Sequence, residues 1–210
     1  MNKQRDGIKR KYQQLFNVII ASLIIGFVGG LAVHDHNIQD LFGKKETTIS
    51  SSDPVLIGTS EIDLCFTPPS GCGKVIADLI SKANESIYVQ AYGITSTEIV
   101  DELIYAHGRG VKVRVLLDKS NLQDRYSKMK LLQDAGIDVS IDKVPGIAHN
   151  KVIIIDLQKV ITGSFNFTKS ADSRNIENVI IVNDREIAER YLQNWLSRKQ
   201  KNEIQLKAKE

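Results

Sequence analysis

The sequence predicts an α/β protein: one domain built on a mixed, mostly parallel β-sheet flanked by helices, following an N-terminal hydrophobic segment. Three observations carry this. From residue 61 onward, short β-branched runs alternate with amphipathic stretches at helical spacing. Several of the runs are apolar throughout, as strands covered on both faces are. A length of 210 residues with 42% hydrophobic and 25% charged side chains suits a single packed core and excludes a wholly disordered, collagen-like or polytopic membrane chain.

The elements follow in order. Leu15 to Val33 is interrupted only by Asn17 and Ser22 and is preceded by a basic start. At about 1.5 Å per residue such a helix covers roughly 28 Å, enough for one membrane span. Gly30-Leu31-Ala32 equally fits a signal-peptidase site, so residues 1–33 are a signal peptide or an N-terminal membrane anchor. Either way the bulk of the chain is expected to be exported, secreted or periplasmic, or held at the inner membrane by residues 15–33. Residues 34–60 read as a polar linker. Its His34-x-His36 pair, without Cys or carboxylate at ligand spacing, reads as linker and not as metal site. Residues 61–198 form the folded domain, and 199–210 read as a basic polar tail.

Within the domain, strands are expected at Ile62 to Phe66, Ser86 to Tyr92, Val111 to Leu117, Ile137 to Ile141, Val152 to Asp156, Lys159 to Thr162 and Asn178 to Val182. Val75, Ile76, Leu79, Ile80 and Ala83 make one helical stripe; Ile99, Val100, Leu103 and Ile104 make another, begun by a Thr95-x-x-Glu98 capping box. Tyr126 to Ala135 and Asp184 to Arg198 supply two more helices. Cys65 and Cys72, seven apart around a Pro-Pro turn, favour a disulfide in an oxidising compartment.

The formal charge of +3 is a sum of unlike parts. Residues 1–11 carry +4 and residues 198–210 carry +3, leaving −4 for the stretch between. Bulk charge therefore does not draw in an anionic partner, and a few placed cations must hold it. Gly71-Cys72-Gly73-Lys74 lacks the first glycine and the hydroxyl of a phosphate loop, and Gly108-Arg109-Gly110 opens a strand. Asp118 ends an apolar strand and reads as the start of a turn.

The chemistry concentrates in His149-Asn150-Lys151, at the start of an apolar strand that ends in Asp156. Positions i and i+2 face one way, so His149 and Lys151 can converge on one ligand, whereas Asp156, at odd parity, suits a supporting role. Gly163-Ser164-Phe165-Asn166 repeats the spacing with neutral hydrogen-bonding groups. A cation and two polar side chains around a histidine suit a phosphate oxyanion. The HxK(x)₄D spacing is expected roughly 0.03 times in a shuffled chain of this composition.

These motifs, HxK(x)₄D followed by GSxN, resemble those of the phospholipase D superfamily, in its short single-motif bacterial members, over about Cys65 to Trp195. The resemblance implies a phospholipase D-like fold and a phosphodiesterase needing no metal or other cofactor. It implies His149 as the nucleophile that forms a phosphohistidine; Lys151, Ser164 and Asn166 as holders of the phosphoryl oxygens; Glu177 as hydrogen-bond partner of His149; and Asp156 as a structural or supporting member of the catalytic set. The family's chemistry needs two histidines. His107 has no motif around it, so a homodimer sharing one site is expected. The expected substrate is a phosphatidylcholine-type phospholipid, suited by the apolar Val144-Pro145-Gly146-Ile147-Ala148 approach. The alternative is a non-specific exported endonuclease, for which nucleic acid would be the partner and Lys128-Lys130 or Lys169-Arg174 the local cations. An inactive binding scaffold is disfavoured by the intact residue set.

Overall fold

A computed structural model describes residues 57–58, 61–69 and 71–207. The expectations for residues 1–33 and for the linker up to residue 56 lie outside them. Among the described residues no helix is long and apolar enough to cross a membrane.

Eight strands form one sheet: β1 (Ile57–Gly58), β2 (Ile62–Thr67), β3 (Ser86–Ala91), β4 (Lys112–Asp118), β5 (Asp138–Asp142), β6 (Lys151–Ile155), β7 (Lys159–Gly163) and β8 (Glu177–Val182), in the spatial order β1-β2-β8-β7-β6-β3-β4-β5. The seven strands expected from the sequence start and stop within one residue of their predicted bounds, because runs of Ile and Val end at polar or glycine-bearing turns. β1 begins the sheet inside the stretch expected to be linker, pairing Ile57 with Leu64.

The sheet is mixed, as expected, but it is not mostly parallel. Only β3·β4 and β4·β5 run parallel; β1·β2, β2·β8, β8·β7, β7·β6 and β6·β3 are antiparallel. The cause is local. β6 and β7 are joined by a turn too short for a crossover, and Asp156 (φ 51°) and Leu157 (φ 53°) take the two left-handed positions of a hairpin turn closed by Gln158 N to Ile155 O at 3.0 Å. Alternation of apolar residues marks burial and says nothing about strand direction.

The helices are α1 (Cys72–Ser81), α2 (Thr97–Gly108), α3 (Met129–Asp134), α4 (Lys169–Ser173) and α5 (Arg185–Lys207), with a single 3₁₀ turn at Lys119–Leu122. α1 and α2 cover one face, where Ile76, Ile80, Ile99, Leu103, Ile87, Val89, Ile153 and Phe165 are all buried in one core. α5 covers part of the other face, seating Trp195 against Tyr88, Leu116 and Ile154. The Trp195 Nε1–H donates to Val89 O at 2.8 Å, so its polar end is satisfied at 1% exposure. Cys65 and Cys72 are joined by a disulfide tying β2 to the start of α1.

Three expected boundaries move. The cap of α2 is Ser96, whose Oγ accepts Ile99 N at 3.4 Å; Thr95 cannot serve, because its N–H and that of Ser96 both go to Phe167 O at 2.9 Å and hold the chain extended. The helix expected at Tyr126 to Ala135 shrinks to Met129–Asp134, since the Asp124 carboxylate captures Tyr126 N at 2.9 Å and makes a turn there. The last helix runs past Arg198 into the expected tail. Asn202, 3% exposed, is what draws it on: its Oδ1 accepts Lys143 N at 2.8 Å and its Nδ2 donates to Asp142 at 3.3 Å. Asp142 is itself buried and paired with Arg198.

Candidate active site

The register of the antiparallel strands assembles the site at one end of the central strands β6, β7 and β8. Ile153 pairs with Ile161, which brings Gly163 opposite Lys151, and Gly163 pairs in turn with Val179. The segments 149–151, 164–166 and 177–178 therefore end side by side, with Tyr92 beside them through Tyr92 N to Asn150 O at 2.8 Å. Gly163 is required here. At φ 142° a Cβ would lie 2.2 Å from Asn178 O, so only glycine lets β7 and β8 approach this closely.

His149 lies in the extended segment before β6 and is exposed, while Lys151, the first residue of β6, is 7% exposed. The Lys151 Nζ donates to His149 O at 2.9 Å and sits 5.4 Å from the centroid of the Tyr92 ring, and the His149 imidazole lies 4.7 Å from the same ring between centroids. Tyr92 thus packs against both side chains. Burial lowers the Lys151 ammonium below its ordinary pKa, and the charge of Glu177 acts in the opposite sense. One buried cation opposed by a single carboxylate is a suitable receptor for a phosphoryl oxygen.

Ser164 is exposed and held by its neighbours: its Oγ donates to Glu177 Oε2 at 2.5 Å and accepts from Asn178 N at 3.1 Å. The second Glu177 oxygen accepts Asn175 Nδ2 at 2.9 Å. The expected Glu177 to His149 hydrogen bond is therefore not made; Glu177 is committed to Ser164 and Asn175. Asn166 differs, since its Oδ1 is buried without a hydrogen-bond partner. An amide with no internal commitment beside a histidine and a lysine is placed to meet a ligand.

Asp156 is not at this site. It follows the far end of β6, roughly 16 Å from Lys151 at the usual strand rise. There its carboxylate accepts Asn84 N at 2.9 Å, Glu85 N at 2.8 Å and Ser86 N at 2.9 Å, fixing the turn into β3. Membership of a motif and odd parity are both satisfied by a purely structural residue. His107 ends α2 at the same far edge, in a recess with Lys112, Arg114 and Gly136, out of reach of His149.

Sequence reasoning missed Tyr92 and Asn121 and undervalued Asp118. All three belong to the carboxyl ends of the parallel pair β3 and β4 or the turn beyond, where ligands of α/β sheets are commonly met. Asp118 is 1% exposed; its Oδ1 accepts Ser120 N at 2.9 Å and its Oδ2 accepts Ala148 N at 2.7 Å, anchoring the residue before His149. Burial works to raise its pKa, but the two backbone N–H groups outweigh burial and hold it below the usual carboxylate range. Asn121 Nδ2 donates to Tyr92 O at 2.7 Å and so fixes the aromatic wall. The N–H groups at the glycine-rich start of α1 are taken by a side chain: Gly71 N and Gly73 N donate to Asp172 Oδ1 at 3.0 and 2.9 Å.

Comparison with known proteins agrees with this fold. Residues 76–198 match the family described as cardiolipin synthase, PLD-like domain. The chain is 52% identical over 202 residues to a protein of Rickettsia felis named phospholipase D, covering 93% of this chain and 100% of that one. It is 53% identical over 201 residues to the phospholipase D of Rickettsia conorii, with the same coverage. Among solved structures, Nuc of Salmonella typhimurium, described as a phospholipase D family member, superposes with a TM-score of 0.64 at 34% identity, over 66% of this chain and 93% of that one. The chain belongs to the phospholipase D superfamily of phosphodiesterases.

Proposed function

We propose that the protein is a metal-independent phospholipase D, hydrolysing phosphatidylcholine-type lipids to phosphatidic acid and a free head group, and that it acts after export. The observation that carries this reading is the register that brings His149, Lys151 and the uncommitted Asn166 to the same end of the central strands. A His149 ring nitrogen attacks phosphorus, the P–O bond to the head group breaks, and the departing oxygen takes a proton from a general acid. Water then attacks the phosphohistidine, the P–N bond breaks, and phosphatidic acid leaves. Lys151 and Asn166 hold the phosphoryl oxygens through both steps. Ser164 joins them once it turns from Glu177, which is thereby released toward His149.

The lipid reading is supported by the name of the full-length Rickettsia relatives and by two exposed apolar residues beside the site. Ile147 is 59% exposed two residues before His149, and Ile176 is 89% exposed one residue before Glu177. Both can enter a lipid interface. The general acid is the His149 of a second copy in a two-fold dimer, because His107 lies at the opposite edge of the sheet. The test is choline release from phosphatidylcholine vesicles by the full chain in excess EDTA. Release that His149→Asn abolishes supports the reading; no release, or dependence on added divalent metal, overturns it. Mixing His149→Asn with wild-type protomers tests the dimer: activity that simply follows the wild-type fraction refutes a shared site.

A further inference from the structure

The face of the sheet turned away from Lys151 carries a recess of its own. Gln90 of β3 pairs with Val152 of β6, and Val152 belongs to the core that α5 covers. Lys151 has the alternate parity along β6 and faces the other way. Gln90, Asn150 and Val152, with Arg190, Tyr191 and Asn194 of α5, line a recess of about 360 Å³, within the range of small-molecule sites.

Its polar groups are uncommitted. Gln90 is 4% exposed, and its Nε2 donates to Asp142 Oδ2 at 3.2 Å. A carboxylate only accepts, and Asp142 is held in place by Arg198 and Asn202, so the Gln90 amide cannot be turned round. Its Oε1 end is thereby fixed as an acceptor; no group among the described residues donates to it, and it is not sealed from solvent. The side chains of Asn150, Tyr191 and Asn194 make no hydrogen bond among the described residues. Arg190 is the one charge in the lining, and it is paired with Glu186 at 2.7 Å.

This chemistry narrows the occupant. A lining without a carboxylate holds neither a metal ion nor an ammonium group, and a guanidinium already paired is a poor receptor for phosphate. Val152 alone does not seat an acyl chain. A fixed acceptor, two amides that both donate and accept, and a phenol instead match hydroxyl groups, which also do both. We propose that this recess binds a neutral polyhydroxy compound, a sugar or polyol that is either free or carried as an uncharged glycolipid head group, at a site separate from His149. Asn150 sets the occupant beside the catalytic segment, since it lies between His149 and Lys151 and its carbonyl accepts Tyr92 N at 2.8 Å. The inference does not rest on the phospholipase reading.

The test uses the full chain. Saturation-transfer NMR titrations with methyl β-D-galactopyranoside, myo-inositol and glycerol read the free compounds. Flotation with phosphatidylcholine vesicles, with and without monogalactosyldiacylglycerol, reads the lipid-borne sugar. Gln90→Leu and Asn194→Leu should each weaken binding about tenfold, as the loss of one or two hydrogen bonds to neutral groups does. Gln90→Leu also takes a donor from Asp142 and can destabilise the fold; Asn194 is exposed on α5, so Asn194→Leu keeps the test open. Hydrolysis of bis(p-nitrophenyl) phosphate by Asn194→Leu should stay at the wild-type rate, and His149→Asn should bind the sugar as wild type does. Binding of a free compound without galactolipid-dependent flotation makes the occupant a free sugar or polyol; flotation that Asn194→Leu abolishes makes it a head group. No binding in either arm, or binding unchanged in folded Asn194→Leu, overturns the assignment. Binding lost in His149→Asn overturns it too, because the compound would then occupy the catalytic site.

Discussion

Replacing Asp156 separates a structural role from a catalytic one at a position that the sequence motif cannot decide. Its carboxylate receives three backbone N–H groups at 2.8 to 2.9 Å, from Asn84 and Glu85 at the surface and from Ser86 half-buried. Bonds to a charged acceptor contribute about 1.5–3 kcal/mol each when buried; with two of the three exposed, about 1 kcal/mol apiece is appropriate, or ~3 kcal/mol in all. Alanine at φ 51° adds roughly 1 kcal/mol of left-handed strain. Asp156→Ala should therefore lose about 3–4 kcal/mol, and Asp156→Asn, which keeps one oxygen and tolerates the same φ, about 1 kcal/mol. At roughly 2–4 °C per kcal/mol, alanine lowers Tm by about 6–16 °C. The assay pairs thermal melts with bis(p-nitrophenyl) phosphate kinetics well below each Tm. The account predicts near-normal kcat in both folded variants. A kcat loss of a hundredfold or more in Asp156→Asn, with its Tm barely moved, would show that the reasoning is wrong.

Three further outcomes follow from the same geometry. Ending the chain after Arg198 removes Asn202 from Lys143 N and Asp142, so urea melts should show a loss of about 2–3 kcal/mol, where a mere tail would cost nothing. Asp118→Asn should destabilise by about 2–3 kcal/mol at neutral pH by unpairing Ala148 N or Ser120 N. Because the folded-state pKa of Asp118 is depressed, its charged contribution is present above the ordinary aspartate value of about 3.9 and lost as pH falls through the lower folded value. The gap between wild type and Asp118→Asn should thus be level down to about pH 5 and close below about pH 4; a constant gap in acid melts contradicts it. Glu177→Gln removes the charge that supports the Lys151 ammonium, so the alkaline limb of the pH-rate profile should move to lower pH. A limb that stays in place means Lys151 does not govern it.

Strand positions were legible because Ile and Val runs such as Ile153 to Ile155 stop at residues that cannot continue them. Strand direction was not, since the decision at Asp156-Leu157 is made by a two-residue turn that has no glycine to announce it. Helix ends were misjudged where a distant partner intervenes: Phe167 O takes the N–H of Thr95, and Asn202 reaches Asp142 and Lys143. At the site, the i and i+2 spacing of His149 with Lys151 could be read from the chain, as could that of Ser164 with Asn166. Tyr92, Asn121 and Asp118 could not, because their roles arise from contacts made across 29 to 59 positions of sequence. Lys128 and the Lys169 to Arg174 stretch could likewise be read as local cations; that they share one cleft with Arg125 could not, because net charge averages such a cluster away.

The central claim is that His149 becomes covalently phosphorylated. Wild-type protein mixed with bis(p-nitrophenyl) phosphate, quenched in alkali during the first turnovers and digested, should yield a nitrophenyl-phosphate adduct on the peptide containing His149. The adduct should appear with a burst of nitrophenol and be absent from His149→Asn. A burst with the adduct on another residue, or unimpaired hydrolysis by His149→Asn, would contradict the account.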